Sequence, residues 1–505
     1  MSDAQGINKA KNWQLLFFAA NNGAVVIGYT LIIAKYYLYF STLALNLAPL
    51  VICIIIMASR LLDGLMSPYI GSLMQKTDTK FGKFRPFMII GNLISVIAFT
   101  IIFLTPVGMS EIMKYIFITA FNFLFIIGFT MQSAVTKCGL AIMTNDTKQR
   151  GLYGTFDSIF TGIGGGLLPL IAGTILYKKF SIFNEAGEII SNGYANPKLW
   201  ITIVIIFAPI SIILTLIAVY GIKDKDVKSI YGVGSIEKFK IKDFINVLKN
   251  NKAISSLVIS ASTDKLAYTT RTLTSAFFFI VILLNGSLDG TVMLLVGAPA
   301  FLVLVIAFRY SAKVGMKKVF VWGSWAAAIL SVVTIVLVPI LAPPSSTAIA
   351  SVNAVIIMVI YCLQYLASFI SSAIVQPMIS DCTDYEFYKN NRFIPSIMGN
   401  LFAFVDKLMS AFAGLVLGAA MLFAGYGFQL NLDMPAGNSI GNSAITDSKF
   451  YYAIIFCVFI MPLLGHIATI IAMKWYPIDT KVYAEMQTYI ANKRKEANEE
   501  IINGS

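Results

Sequence analysis

Long, continuously apolar stretches alternate with short polar stretches along this 505-residue chain, and twelve of them approach the length of a membrane span. A helix needs roughly 20 apolar residues to cross a bilayer. On that rule the spans fall near 14–39, 46–74, 86–106, 113–143, 153–177, 199–221, 253–284, 290–308, 319–341, 348–378, 395–425 and 451–474. The runs do not alternate apolar with polar, so they predict helices and not the strands of a barrel. The pattern therefore predicts an all-α membrane protein with twelve transmembrane helices.

The longest polar connection between spans, Lys223–Lys252, divides them six and six. This predicts an N-terminal six-helix bundle over 1–222, a central loop over 223–252, a C-terminal six-helix bundle over 253–475 and a tail over 476–505. Two packed helical repeats are built in this way. Within the central loop, KFKIKDFINVLKNN has apolar residues at helical spacing and reads as a surface amphipathic helix or a plain linker. A faint repeat links the halves. GSLMQKTDTKFGKFRP after span 2 and AFRYSAKVGMKKVFVWG after span 8 each set basic residues closely after a glycine, ahead of the next span.

Charge fixes the expected orientation. The N-terminal segment, each even-to-odd connection and the tail are rich in Lys and Arg. The opposite side has only Lys114, Lys178, Lys179, Lys198 and Lys449. Basic residues stay inside, so both termini are expected in the cytoplasm of a multi-pass protein of the cell (plasma) membrane. The polar N-terminus leads into a first span read as retained rather than cleaved.

Composition supports the membrane class and removes others. Hydrophobic residues make up 57% and charged residues 12%, with mean hydropathy +0.78. The net charge of +13 is scattered over inter-span loops, which is topology signalling and no nucleic-acid patch. Cys53, Cys138, Cys362, Cys382 and Cys457 have neither metal-ligand nor redox spacing. No nucleophile–base constellation, nucleotide loop or metal cluster is legible, so no enzyme and no cofactor are expected.

Ten Asp, Lys or Arg residues lie within the spans, away from the two positions at either end: Lys35, Arg60, Asp63, Lys137, Asp157, Asp264, Lys265, Arg271, Asp406 and Lys407. A charge facing lipid costs at least a few kcal/mol, so each is expected to face a cavity or a partner. Arg60 and Asp63 are i,i+3 and share a helix face. Asp264, Tyr268 and Arg271 fall at i, i+4 and i+7, a polar stripe fit for a cavity wall or for a span entry still in water. Lys137 reads equally as a snorkelling residue or an anion-binding lysine, and Lys35 as a snorkelling residue. His466, the only histidine, reads as a core residue. GIGGG at 162–166 reads as a close-packing surface.

Three blocks carry a family resemblance: RLLDGLMSPYIGSLMQKTDTKFGKFRP, SDCTDYEFYKNNRF and VDKLMSAFAGLVLG. They resemble the helix-2 Arg-x-x-Asp run with its Gly-Lys-Phe-basic-Pro loop, the Asp-x-x-Asp-Tyr loop and the helix-11 lysine of the glycoside–pentoside–hexuronide:cation symporters. That family belongs to the major facilitator superfamily, and the resemblance implies the major facilitator fold, a monomer and a small-molecule solute. It also implies symport of a sugar or glycoside with a cation, proton or sodium, by alternating access. Asp63, Ser67 and Lys407 then fall at the cation-coupling positions.

The chain departs from the family at several sites. Met66-Ser67 replaces an Asn-Asp pair, so a two-carboxylate sodium cage lacks one acid. The helix-1 acid has no equivalent beside Asn21 and Asn22, and the helix-4 acid and Trp fall on Gln132, Thr136 and Lys137. The helix-5 Arg falls at Asp157–Ser158. The candidate solute-binding residues are Asn22, Tyr29, Gln132, Lys137, Asp157, Asp264, Arg271 and Lys407. Lys83, Arg85, Asp381, Asp384 and Lys389 are expected to form a cytoplasmic gate closed by charge pairs. The six basic and four acidic intramembrane residues leave two alternatives open, an anionic solute (a uronide or lysophospholipid-like) and an uncoupled facilitator.

Overall fold

The computed structural model describes residues 9–503 except 78, 145–146, 186–188, 228–247, 250, 345, 347, 392–394 and 431–443. Among the described residues, twelve long helices precede the tail in chain order. The first half comprises α1 (Asn12–Ala34), α2 (Pro49–Lys76), α3 (Arg85–Phe103), α4 (Glu111–Thr136), α5 (Leu152–Phe180) and α6 (Pro197–Ile222). The second comprises α7 (Lys252–Phe277), α8 (Leu288–Val314), α9 (Met316–Leu341), α10 (Ser351–Asn390), α11 (Pro395–Phe423) and α12 (Ser448–Met473). Eleven helices among the described residues are long and apolar enough to cross a membrane. The remaining one is α7, which has full length but carries Asp264, Lys265, Arg271 and many Ser and Thr residues.

Local chemistry sets the helix ends. Asn196 accepts from Lys198 N at 3.0 Å ahead of α6, with Pro197 in the first turn where its missing N–H costs nothing. Asn251 caps α7 through Ala253 N and Ile254 N at 3.0 and 3.2 Å. α5 carries two π-helical turns, Ile163–Leu167 and Ile171–Leu176, flanking Pro169. The glycine run lies there against α1. A Cβ on Gly164 would stand 2.7 Å from Ile27 N, whereas one on Gly162 or Gly166 would meet nothing within 4 Å, so the close packing expected of GIGGG rests on Gly164.

Within the first half, α1 packs on α5 and α6, α3 on α4 and α6, and α2 on α4. Within the second, α7 packs on α10, α11 and α12, α9 on α10 and α12, and α8 on α10. The halves meet where α2 runs along α11 and α5 against α8. They also approach closely at the end opposite the basic loops. A Cβ on Gly290 of α8 would stand 2.3 Å from Pro169 O of α5. Thr174 Oγ1 donates to Ser287 O at 3.1 Å, and Tyr39 Oη to Leu273 O at 3.2 Å. Among the described residues, hydrogen bonds between the halves extend toward the basic end only as far as Lys407 and Ser67, midway along α2 and α11. The two halves are thus joined over the far part of the bundle.

Lys35 departs from its snorkelling expectation. It is 3% exposed and pairs with Asp289 at 2.5 Å, tying the end of α1 to the start of α8. Burial supplies the reason: Tyr36, Tyr39 and Tyr194 enclose the site, so the ammonium meets a carboxylate instead of the interface.

Two connections acquire structure of their own. Ile182–Phe183 and Ile189–Ser191 form a small antiparallel pair between α5 and α6. The tail forms a helix, α13 (Thr480–Asn503), whose N-terminus is capped by Asp479 through Lys481 N and Val482 N, both at 2.9 Å. Most of the central loop's amphipathic segment and of the polar loop 428–448 lies outside the described residues.

Candidate functional site

The first cluster lies where α2 meets α11. The Asp63 carboxylate is 1% exposed. Its Oδ1 accepts from Lys407 Nζ at 2.8 Å and from Thr130 Oγ1 of α4 at 2.9 Å. Arg60 Nη1 stands 3.6 Å from Oδ2, as the i,i+3 spacing predicts. Lys407 Nζ also donates to Asp63 O at 3.1 Å and to Ser67 Oγ. One buried carboxylate therefore holds two cations and a hydroxyl, and Lys407 links the two halves of the molecule. Ser67, where the resembled family has an acid, serves as a second oxygen for Lys407. Thr130 carried no signal in the sequence, because a single Thr in an apolar helix has no distinguishing neighbour.

A cavity of about 260 Å³ lies in the second half, walled by α7, α10, α11 and α12. The stripe Asp264, Tyr268 and Arg271 lines it, together with Lys265, Tyr365, Asp406 and His466. This decides between the two readings of the stripe: it is a cavity wall. Lys265 pairs with Asp406 at 2.9 Å. Asp264 Oδ1 accepts from Thr469 Oγ1 at 2.9 Å and lies 3.4 Å from His466 Nδ1. His466 Nε2 is 3.1 Å from Ser368 Oγ. The only histidine is 3% exposed, as the core reading expects, and lies between a carboxylate and a hydroxyl on neighbouring helices. The sequence hides this because the partners lie about 100 to 200 residues away.

The candidates in the first half divide. Asn22 of α1 donates to Asp157 Oδ2 and Thr161 Oγ1 of α5 at 3.1 and 2.9 Å, and Asp157 Oδ1 makes no hydrogen bond. Tyr29 lies under the Arg60 guanidinium at 5.6 Å, which connects it to the Asp63 cluster. Gln132, a solute-binding candidate, has its amide engaged by neighbouring helices. It is 2% exposed, donates to Asn21 Oδ1 and Thr215 Oγ1 at 3.1 and 2.9 Å, and faces Asn92. Buried among α1, α3 and α6, its amide pins helices together, since polar groups in hydrocarbon must find partners. The side chain of Lys137 lies outside the described residues.

The gate candidates sit at the basic end, and the contacts described for Lys83, Arg85, Asp384 and Lys389 lie within their own halves. Lys83 N, Phe84 N and Arg85 N donate to the Asp226 carboxylate at 2.8–3.2 Å, and Arg85 Nε lies 3.4 Å from it. Asp226 is fully buried and went unnoticed in the sequence, because it sits among the charges of the central loop. Asp384 accepts from Gln487 of α13 at 3.2 Å. Lys389 lies over the Tyr385 and Tyr388 rings, and Asp381 is half-buried nearby on α10.

No group of three or more His, Cys, Asp or Glu that could hold a metal ion occurs among the described residues. The chemistry available is that of buried ion pairs and of a polar cavity between helices.

Comparison with known proteins agrees with this architecture. The lactose permease of Leuconostoc lactis is 23% identical over 459 residues, covering 88% of this chain. The chain spans 65% of that permease's length. The isoprimeverose transporter of Lactiplantibacillus pentosus is 21% identical over 92% of this chain and 89% of its own. Among solved structures, a D-xylose–proton symporter superposes with a TM-score of 0.60 at 14% identity, over 92% of this chain and 98% of that one. That level of likeness concerns the fold alone. The model for the family of MFS/sugar transport proteins matches residues 21–480. With that match, the twelve-helix architecture and the motifs of α2, α10 and α11 in hand, the chain belongs to the MFS/sugar transport protein family of multi-pass membrane transporters.

Proposed function

We propose that this protein carries a sugar or glycoside across the cell membrane by alternating access, in symport with a cation, proton or sodium, that competes with Lys407 for Asp63. The observation that carries the reading is the Lys407–Asp63 pair at 2.8 Å across the seam between the halves. A cation bound at Asp63 weakens that pair, and the α2–α11 seam is then free to repack. Binding at one carboxylate thereby biases the relative position of the two bundles, which is what coupling requires.

The solute class is supported by the family and by relatives named for lactose and isoprimeverose. The basic loops argue that the end carrying them is cytoplasmic. With the halves joined at the far end, the arrangement described above is then the inward-facing one. The gate candidates fit that state: Arg85 is held by Asp226 of its own half and Asp384 by Gln487 of its own, and Lys83 and Arg85 would meet Asp381 and Asp384 only when the cytoplasmic ends approach.

Uptake by reconstituted vesicles tests the coupling. Asp63→Asn should abolish gradient-driven accumulation while sparing solute exchange. Full concentrative uptake by that variant would sink the assignment.

A further inference from the structure

The hydrogens around His466, the one imidazole of the chain, can be counted. Ser368 of α10 gives its only hydroxyl hydrogen to Gln364 O at 3.0 Å. Toward His466 Nε2, 3.1 Å away, that hydroxyl can therefore only accept. Nε2 must carry a hydrogen, and in a neutral ring Nδ1 is then a bare lone pair. Nδ1 is buried, makes no hydrogen bond and stands 3.4 Å from Asp264 Oδ1 of α7.

An ionised Asp264 has no hydrogen to offer. Its Oδ1 accepts from Thr469 Oγ1 at 2.9 Å, and its buried Oδ2 has no hydrogen-bond partner. Two acceptors thus face each other out of contact with water, with no donor between them, an arrangement that buried polar groups avoid. One added proton resolves it. Nδ1 becomes a donor, and an imidazolium meets a carboxylate across the same gap.

The other charged and titratable groups near the ring are engaged elsewhere. Lys265 of α7 pairs with Asp406 of α11 at 2.9 Å, and Lys407 of α11 turns to Asp63. Arg271 of α7 lies against the Tyr365 and Tyr361 rings of α10, and the hydroxyls of Tyr268 and Tyr365 are 3.3 Å apart. α9, which also packs on α12, has no titratable residue beyond Lys318 at its start. On α12 itself, His466 is the only titratable residue between Cys457 and the helix end at Met473. Asp264 is thus the carboxylate that answers to the ring.

We propose that Asp264 and His466 form a proton-binding site, separate from the Asp63 cluster. One proton taken from solvent in the cavity forms the Nδ1–H bond and converts the imidazole to an imidazolium. Both residues line the cavity of the second half. Binding there adds one positive charge to that cavity and holds α7 to α12 and, through Ser368, to α10. Proton and cavity occupant then change each other's affinity by the same factor. The site shares no residue with the Asp63 cluster, so it stands whether the cation there is a proton or sodium.

Nitrogen-15 NMR of the full-length protein in lipid nanodiscs tests this, with labelled histidine and an affinity tag that contains none. One histidine gives one pair of ring resonances. Between about pH 9 and about pH 5, the range that brackets an ordinary imidazole, Nδ1 should pass from bare to protonated while Nε2 stays protonated throughout. Asp264→Asn, whose amide can donate to Nδ1, should move the midpoint by at least about one pH unit, tenfold in proton affinity, or take it out of the range. Ser368→Ala keeps the carboxylate and should keep the titration. Monodisperse elution of both variants establishes that they fold. An Nδ1 that does not change in wild type, a neutral ring that carries its hydrogen on Nδ1, a titration lost in Ser368→Ala, or a midpoint that stays within one unit in Asp264→Asn overturns the site. None of these outcomes touches the transport reading, which uptake by Asp63→Asn tests separately.

Discussion

Lys407 of α11 and Asp63 of α2 are 344 positions apart in the chain and 2.8 Å apart in space. Ser67, one turn along α2, also receives the ammonium. The lysine therefore occupies the volume in which a cation would have to bind, and Ser67 decides how much competing negative charge that volume holds. Ser67→Asp restores a second carboxylate there. Sodium is expected to stimulate uptake several-fold more in Ser67→Asp than in wild type. Equal sodium responses, measured in vesicles at matched pH, would remove position 67 from cation selection.

The Lys35–Asp289 pair is a buried charge pair at the far-end closure. Removing one member of such a pair strands the other charge and costs about 3–5 kcal/mol, whereas replacing both by apolar groups is often neutral. Lys35→Met and Asp289→Leu should each lower the melting temperature markedly, and the double variant should recover most of the loss. A thermal double-mutant cycle reads this directly. Additive losses would mean that the two side chains do not depend on one another.

Thr174 of α5 and Thr291 of α8 have their hydroxyls 3.3 Å apart at the same closure. Alternating access requires that contact to open. A disulfide between Thr174→Cys and Thr291→Cys should stop solute movement, and a reductant should restore it. Transport that persists with the crosslink formed would show that α5 and α8 stay together throughout the cycle.

Asp479 lies outside the membrane helices, and the backbone N–H of Val482, followed by that of Lys481, holds its carboxyl below the usual carboxylate range. A depressed acid stabilises the fold above its unfolded pKa and loses that contribution as pH falls through its folded value. α13 should therefore be best anchored at neutral pH and fray under acid conditions. Asp479→Ala, the loss of an N-cap, should cost about 1 kcal/mol and remove that pH dependence. Hydrogen exchange over 480–490 as a function of pH measures both.

Much of the architecture was legible because hydropathy is a one-dimensional property. A lipid-facing helix must be apolar over its whole length, so each of α1 to α12 has its span in the sequence, although α10 runs on to Asn390, well past its expected end at 378. The one helix that misses the apolar standard, α7, does so because Asp264 and Arg271 face a cavity. Arg60 and Asp63 were readable as neighbours because helical spacing brings i and i+3 together. Gln132 and Lys35 resisted the same treatment. One is spent on helices α1 and α6, the other on the start of α8, and no local pattern reports a neighbour of that kind.

The residues alone thus established a helical membrane protein of two six-span halves, its basic side, and the short list of charges that had to find shelter from lipid. Which charges shelter one another was decided only by tertiary packing. Asp226 took the Arg85 loop, Asp289 took Lys35, Asp406 took Lys265, and Arg271 was left with two aromatic rings. The physical reason is range. The cost of burying a charge acts on each residue where it stands, while its relief comes from whichever helix the fold sets beside it.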